Sequence, residues 1–243
     1  QWRTIPEEIR DHLVEECVSS VVLEYNHSVM QDSMRANYLT EKIMRMTKRT
    51  IWALQQQLKK GDFEPVGYEV RFTTELENQQ MHLSYGDRGV MSLNGKIDRM
   101  DLCEEEDKVY LKIIDYKSGR TKFDLASVFH GLQLQLMVYM NAAREEQQQK
   151  KKQCIVIPAG ILYYHIDDPL VASDNFRDFA GNQPVGSDEQ GEDHSDASGA
   201  AEDALSILEQ LAVDGLVLDD GDAVRHMDHH PEEPPKVLPV KIK

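Results

Sequence analysis

The sequence predicts an α/β fold in which two helices lead into a run of strands, followed by one more helix and a further strand. Three observations carry this. Apolar residues recur every three or four positions over the first 60 residues, the period changes to alternation after Gly67, and alternation returns at Cys154 after one more helical stretch. With 243 residues, 40% of them hydrophobic, the chain is long enough to enclose a sizeable core.

The elements follow in order. From about Glu7 to Val29, Ile9, Leu13, Val14, Val18, Val21, Val22 and Tyr25 give one amphipathic face. A second helix is expected from about Ser33 to Lys60, ending at Gly61 before Pro65. Tyr68 to Phe72, Met81 to Tyr85 and Val90 to Leu102 read as strands of an antiparallel meander, with a turn at Gly86-Asp87-Arg88-Gly89. The acidic loop Glu104 to Asp107 then leads into a strand over Lys108 to Lys117, which Ser118-Gly119 ends. Leu125 to Gln149 is predicted as one apolar-faced helix, and Cys154 to Ile166 as a strand. Beyond Pro169 the composition shifts. Residues 173–203 read as an acidic flexible insertion, with a short helix at Ala201 to Val213 and a small extended piece at Gly215 to Asp219. This divides the chain into N-terminal helices (1–60), an αβ core (65–170), the acidic insertion (173–203) and a C-terminal extension (204–243).

The net charge of −16 argues at first against a polyanionic partner. The charge is unevenly spread, however: residues 1–160 hold 22 Lys+Arg against 24 Asp+Glu, a net of −2, whereas residues 161–243 hold 5 against 19, a net of −14. The first two-thirds, with basic clusters at Lys42 to Arg49 and Lys150 to Lys152, can still meet a polyanion locally. No apolar run approaches the length of a membrane span, so a soluble intracellular protein with no membrane partner is expected. Cys17, Cys103 and Cys154 are odd in number and widely spaced. They are read as buried thiols in a reducing compartment, not as a disulfide framework or a four-ligand metal site.

The chemistry concentrates in Gly95-Lys96-Ile97-Asp98-Arg99-Met100-Asp101 and Asp115-Tyr116-Lys117. On a strand Asp115 and Lys117 project from one face, and Asp98 falls near the hairpin position opposite them. Two carboxylates with a backbone carbonyl and water form the oxygen cage that Mg²⁺ prefers. A lysine beside that ion can orient or deprotonate an attacking water and offset charge at a phosphoryl centre. Glu69 offers a further carboxylate, and Gln135 and Tyr139, spaced i and i+4, share one helix face. Gln133 and Gln135 are unusual in an apolar helix, since an unpaired buried amide costs about 1–3 kcal/mol.

Together these motifs, with Gly131-Leu132-Gln133-Leu134-Gln135-Leu136 and Tyr139, resemble the PD-(D/E)XK nuclease superfamily in its RecB-like branch, and within it the C-terminal nuclease domains of the AddB family. Pro158 to Tyr164, Asp167-Asp168-Pro169, Phe72 and Gly215 to Asp219 extend the likeness over most of the chain. The resemblance implies an α/β (α+β) restriction-endonuclease-like core with a mixed central sheet flanked by helices. It implies a Mg²⁺-dependent deoxyribonuclease, with Mn²⁺ able to substitute, that trims the 5′-ended single strand of DNA unwound during double-strand-break repair, alongside an AddA helicase-nuclease partner in a bacterial cytoplasm. Asp98 and Asp115, with the Tyr116 carbonyl, would then hold the metal and Lys117 would serve the water. Gln135 and Tyr139 would belong to the family's helix motif, with Glu69 an accessory acid. The cysteines of the family's iron–sulfur cluster have no counterpart in this chain, and an excised core of a larger subunit is expected.

Plainer readings stand beside these. Arg99 can simply pair with a strand carboxylate, Asp101 can be a ligand or an ion-pair partner, and His229-His230 are read as solvated. Gly89 to Lys96 differs from a phosphate-binding loop in spacing and lacks the following Ser or Thr, so nucleotide binding there is rejected. The competing function is a catalytically weak nuclease-fold module that binds DNA or docks a helicase partner.

Overall fold

The apolar repeat of the first 60 residues produces α1 (Glu7–Glu24) and α2 (Met34–Lys59), after a 3-10 turn at Trp2–Thr4. The computed structural model describes residues 2–25, 33–73, 83–84, 90–91, 94–119, 121–169 and 196–239. They fall into two units, one built from 1–59, 166–211 and 234–237, the other from 60–165, 212–233 and 238–243.

In the first unit the buried side of α1 is the narrow row Arg10, Val14, Val18 and Val22. The three valines pack with Met44 and Ile51 of α2. Ile9, Leu13, Val21 and Tyr25, expected on the same face, are exposed, because a strict spacing of four selects one row of the helix and leaves its neighbours outside. Buried Gln55 is satisfied: its amide donates to the Trp2 and Ile5 carbonyls and accepts from Arg10. The basic cluster of α2 is substantially neutralised, since Arg45 and Arg49 both pair with Asp168 and Lys48 pairs with Glu15. The short helix expected from Ala201 begins earlier, as α5 (Asp196–Gln210). Residues 173–195 of the acidic stretch, and the turn at 86–89, lie outside the described residues.

The second unit holds β1 (Glu64–Thr73), β2 (Leu83–Ser84), β3 (Val90–Met91), β4 (Asn94–Glu104), β5 (Lys108–Lys117), β6 (Ile155–His165) and β7 (Asp214–Val217). Five of them form one mixed sheet in the order β1-β4-β5-β6-β7, and β2 pairs with β3 separately. All neighbours in the large sheet are antiparallel except β5 and β6, which run parallel. A parallel pair cannot be joined by a tight turn, so the chain crosses over between them through helices. The single helix expected there is two: α3 (Leu125–Phe129) and α4 (Gln135–Lys150). Asp124 caps α3 by accepting from the Ala126 and Ser127 amides, and Gly131 turns the chain with φ +76°, a conformation that favours glycine. Gln133 therefore lies in a turn, not in an apolar helix. It donates to the Lys122 carbonyl and accepts from the Asp124 amide.

One face of the sheet, with Met100, Leu102, Val109, Leu111, Ile113 and Ile161, packs with Leu136, Met140 and Ala143 of α4. The other, with Cys103, Tyr110 and Ala159, packs with Phe63 and with Ala223 and Met227 of α6 (Gly221–Met227). Cys103 is buried as expected, but Cys17 is exposed: it precedes buried Val18 on α1 and so lies on a different side of that helix. No helix among the described residues is long and apolar enough to cross a membrane.

α6 is tied down by charge as well as packing. His226 places Nδ1 2.9 Å from Asp62 and Nε2 2.9 Å from Glu105, and His229 Nε2 lies 3.0 Å from the other Asp62 oxygen. His229 and His230 are both exposed, in line with the solvated reading, and His229 also meets Asp62 because α6 brings the chain back against the α2–β1 connection. Burial alone would lower the His226 pKa, but the two carboxylates outweigh it and hold the imidazolium above its ordinary value. A raised histidine pKa stabilises the fold fully below about pH 6.5 and loses that contribution as pH rises through the folded value. The unfolding temperature should therefore fall on alkaline titration from about pH 6.5, and His226→Gln should flatten that dependence in a calorimetric pH series.

Candidate active site

β4 and β5 pair in register from Glu104↔Val109 to Arg99↔Ile114, and the ladder ends there. The next residues, Asp98 and Asp115, form the candidate site. Asp98 Oδ2 accepts from the Tyr116 amide at 2.9 Å, so the first carboxylate holds the backbone of the strand that carries the second. Asp115 is 3% exposed, and the Lys117 ammonium, two residues on and on the same face, sits 2.5 Å from its Oδ2.

α4 delivers its first residue to this pair. The Gln135 amide donates to Asp115 Oδ1 at 2.9 Å and to the Tyr139 hydroxyl at 3.1 Å, and its Oε1 accepts from Lys117 at 3.1 Å. The i, i+4 spacing thus becomes a direct contact, and the structure joins Asp98, Asp115, Lys117, Gln135 and Tyr139 in one network. Glu69 stands apart from it. Its backbone takes φ +54° on β1, and its exposed carboxylate pairs with Lys96.

Burial raises the Asp115 pKa, Lys117 pulls against that rise, and the neighbouring Asp98 charge adds a further push upward. For Lys117, burial would lower the pKa, yet Asp115 outweighs it and the ammonium is held above its ordinary value.

Asp115 Oδ2 is buried, and its partner is the Lys117 ammonium, 2.5 Å away. A buried carboxylate is costly unless something positive meets it, and here one lysine stands beside two carboxylates. Among the described residues no three His, Cys, Asp or Glu side chains cluster as metal ligands. The acidic groups at the candidate site are the two carboxylates of Asp98 and Asp115. This set fits a hard cation that retains several waters, as Mg²⁺ does, and does not fit a fully caged ion.

The family model for the PD-(D/E)XK nuclease superfamily matches residues 3–229. The chain belongs to that superfamily. Within it, the sequence is 41% identical over 170 residues to an ATP-dependent helicase/deoxyribonuclease subunit of Lachnoclostridium phytofermentans, covering 70% of this chain and 14% of that protein. It is 33% identical over 242 residues to the protein of the same name from Alkaliphilus oremlandii, covering 100% of this chain and 19% of that protein. The chain thus spans less than one-fifth of the length of these curated relatives.

The superfamily core also contains a buried charge network that the sequence left open. Asp101 is fully buried. It accepts from Arg99 at 2.7 and 2.8 Å and pairs with Lys112, its cross-strand neighbour, at 3.2 Å. Burial would raise the Asp101 pKa, but Lys112 and Arg99 outweigh it and hold the carboxylate ionised. Asp101 is an ion-pair partner on the sheet face away from α4. The signal available in the sequence was the Arg99/Asp101 spacing of two on a strand, which places both on one face.

Two measurements check this geometry. Asp101→Ala leaves two cations without their shared partner and should cost about 3–5 kcal/mol of stability in denaturant unfolding. In carbon-13 NMR of the metal-free chain, Asp115 should titrate above the usual aspartate range. Asp98→Asn should move that titration down and Lys117→Met should move it up.

Proposed function

We propose that this chain is the Mg²⁺-dependent nuclease domain of an AddAB-type helicase-nuclease. In this reading it hydrolyses phosphodiester bonds of the 5′-ended single strand exposed by unwinding, beside an AddA-type partner in the cytoplasm, during double-strand-break repair by recombination. The observation that carries the reading is the pair of carboxylates, Asp98 and buried Asp115, at the open end of the β4–β5 ladder with Lys117 on Asp115 Oδ2. The names of the relatives support a deoxyribonuclease subunit.

In this reading Asp98, Asp115 and the Tyr116 carbonyl hold the cation, and Glu69 would join them only by leaving Lys96. A bound divalent ion would supply Lewis acidity at the scissile phosphate and a lowered pKa for an attacking water. The protein's own part is positional and electrostatic. Lys117, kept protonated by Asp115, places a positive charge where the phosphoryl centre gains negative charge and can donate to a non-bridging oxygen or orient the water. Gln135, engaged by both Asp115 and Lys117, limits the movement of each.

The test uses the full-length subunit assembled with its helicase partner and end-labelled DNA. Cleavage of the 5′-ended strand should require Mg²⁺ or Mn²⁺, stop on chelation, and fall by roughly 10²–10³-fold on Asp115→Ala. Undiminished cutting by that variant would overturn the assignment. A catalytically weak DNA-binding module would instead retain DNA binding and show no Mn²⁺ binding that depends on Asp98 and Asp115.

A further inference from the structure

The network at Asp115 leaves one question open: what fixes Tyr139, the outermost member, whose hydroxyl accepts from Gln135? The answer lies on β1 and β4. Phe72 and Gly95 are register partners in the β1–β4 ladder. The Phe72 and Tyr139 rings meet edge to face, with centroids 5.6 Å apart and planes at 76°. Both rings rest on the bare backbone of Gly95. A Cβ there would fall 2.4 and 2.5 Å from two Phe72 ring carbons and 2.9 Å from a Tyr139 ring carbon, all far inside contact distance. The glycine is needed for space.

The amide of Gln135 has two N–H donors and one oxygen, and all are spoken for. Asp115 and Lys117 decide which way round it lies, because a flipped amide would present oxygen to a carboxylate and N–H to an ammonium. Tyr139 decides where it sits. With Gln135 placed, Asp115 Oδ1 takes its amide and Oδ2 is left to Lys117.

We propose that Gly95 and Phe72 are positioning residues of the site: the side-chain-free surface of Gly95 lets Phe72 seat Tyr139, which holds Gln135 on Asp115 Oδ1 and leaves Oδ2 to be shared by Lys117 and the cation. The inference rests on the cation reading above, and its test separates the two.

The chain is compared as parent, Gly95→Ala, Phe72→Leu, the double variant and Asp115→Asn. Two quantities are read: Mn²⁺ affinity by electron paramagnetic resonance, and the Gln135 side-chain amide resonances in the metal-free protein. Gly95→Ala should weaken Mn²⁺ binding about tenfold, in line with losses on removing outer-shell support, and shift the amide resonances toward free-amide values. Phe72→Leu should weaken binding about threefold by itself. It should recover much of the Gly95→Ala loss in the double variant, because it removes the ring that the new methyl strikes. A folded Gly95→Ala with parental affinity and unmoved resonances would overturn the proposal, as would a double variant no better than Gly95→Ala. If Gly95→Ala does not fold, Phe72→Leu decides alone: moved resonances support the relay and parental ones overturn it. Parental Mn²⁺ affinity in Asp115→Asn would sink the cation reading instead, while the metal-free resonances still judge the relay.

Discussion

A carboxylate buried to the extent of Asp115 has lost most of its water, and the surroundings must return what hydration supplied. Here the return is partial. Lys117 provides charge at one oxygen and Gln135 a hydrogen bond to the other. Asp98, close enough to raise the Asp115 pKa, makes the shortfall worse, and its own carboxylate is turned to the Tyr116 amide. Two anions at the open end of a strand ladder, one of them buried, thus stand beside a single lysine, and the proposed cation would supply the positive charge that one lysine does not.

The topology explains why these groups meet. An antiparallel β4–β5 pair brings Asp98 and Asp115 to corresponding positions just beyond the last register pair. The parallel β5–β6 pair obliges the chain to leave the end of β5 and return to the start of β6. That crossover sends α4 down one face of the sheet, and its first residue, Gln135, is the one that reaches the carboxylate. The break at Gly131 matters for the same reason: a continuous helix from Leu125 would place Gln135 mid-helix instead of at the opening turn.

The two faces of the sheet do different work with the same residue types. The α4 face carries an apolar core and ends in two carboxylates beside one lysine. The opposite face carries Arg99, Asp101 and Lys112, in which the carboxylate is fully engaged and buried. Asp101 and Asp115 are both almost completely inaccessible, yet two cations hold the Asp101 pKa down, whereas burial and the neighbouring Asp98 push that of Asp115 up.

Much of this was legible in the linear order of residues. Alternation over Lys108 to Lys117 gave a strand with the bounds found, and a spacing of two put Asp115 beside Lys117 because pleated strands repeat every two residues. A spacing of four likewise put Gln135 over Tyr139, as helices dictate. These are local periodicities, and a sequence states them directly. It could not state which oxygen of Asp115 meets Gln135 and which meets Lys117, that Asp101 belongs to the other face, that Glu69 turns to Lys96, or that Gly95 makes room for two rings. Each of those depends on segments far apart in the chain arriving within a few ångströms, and only the sheet order and the crossover of α4 decide that.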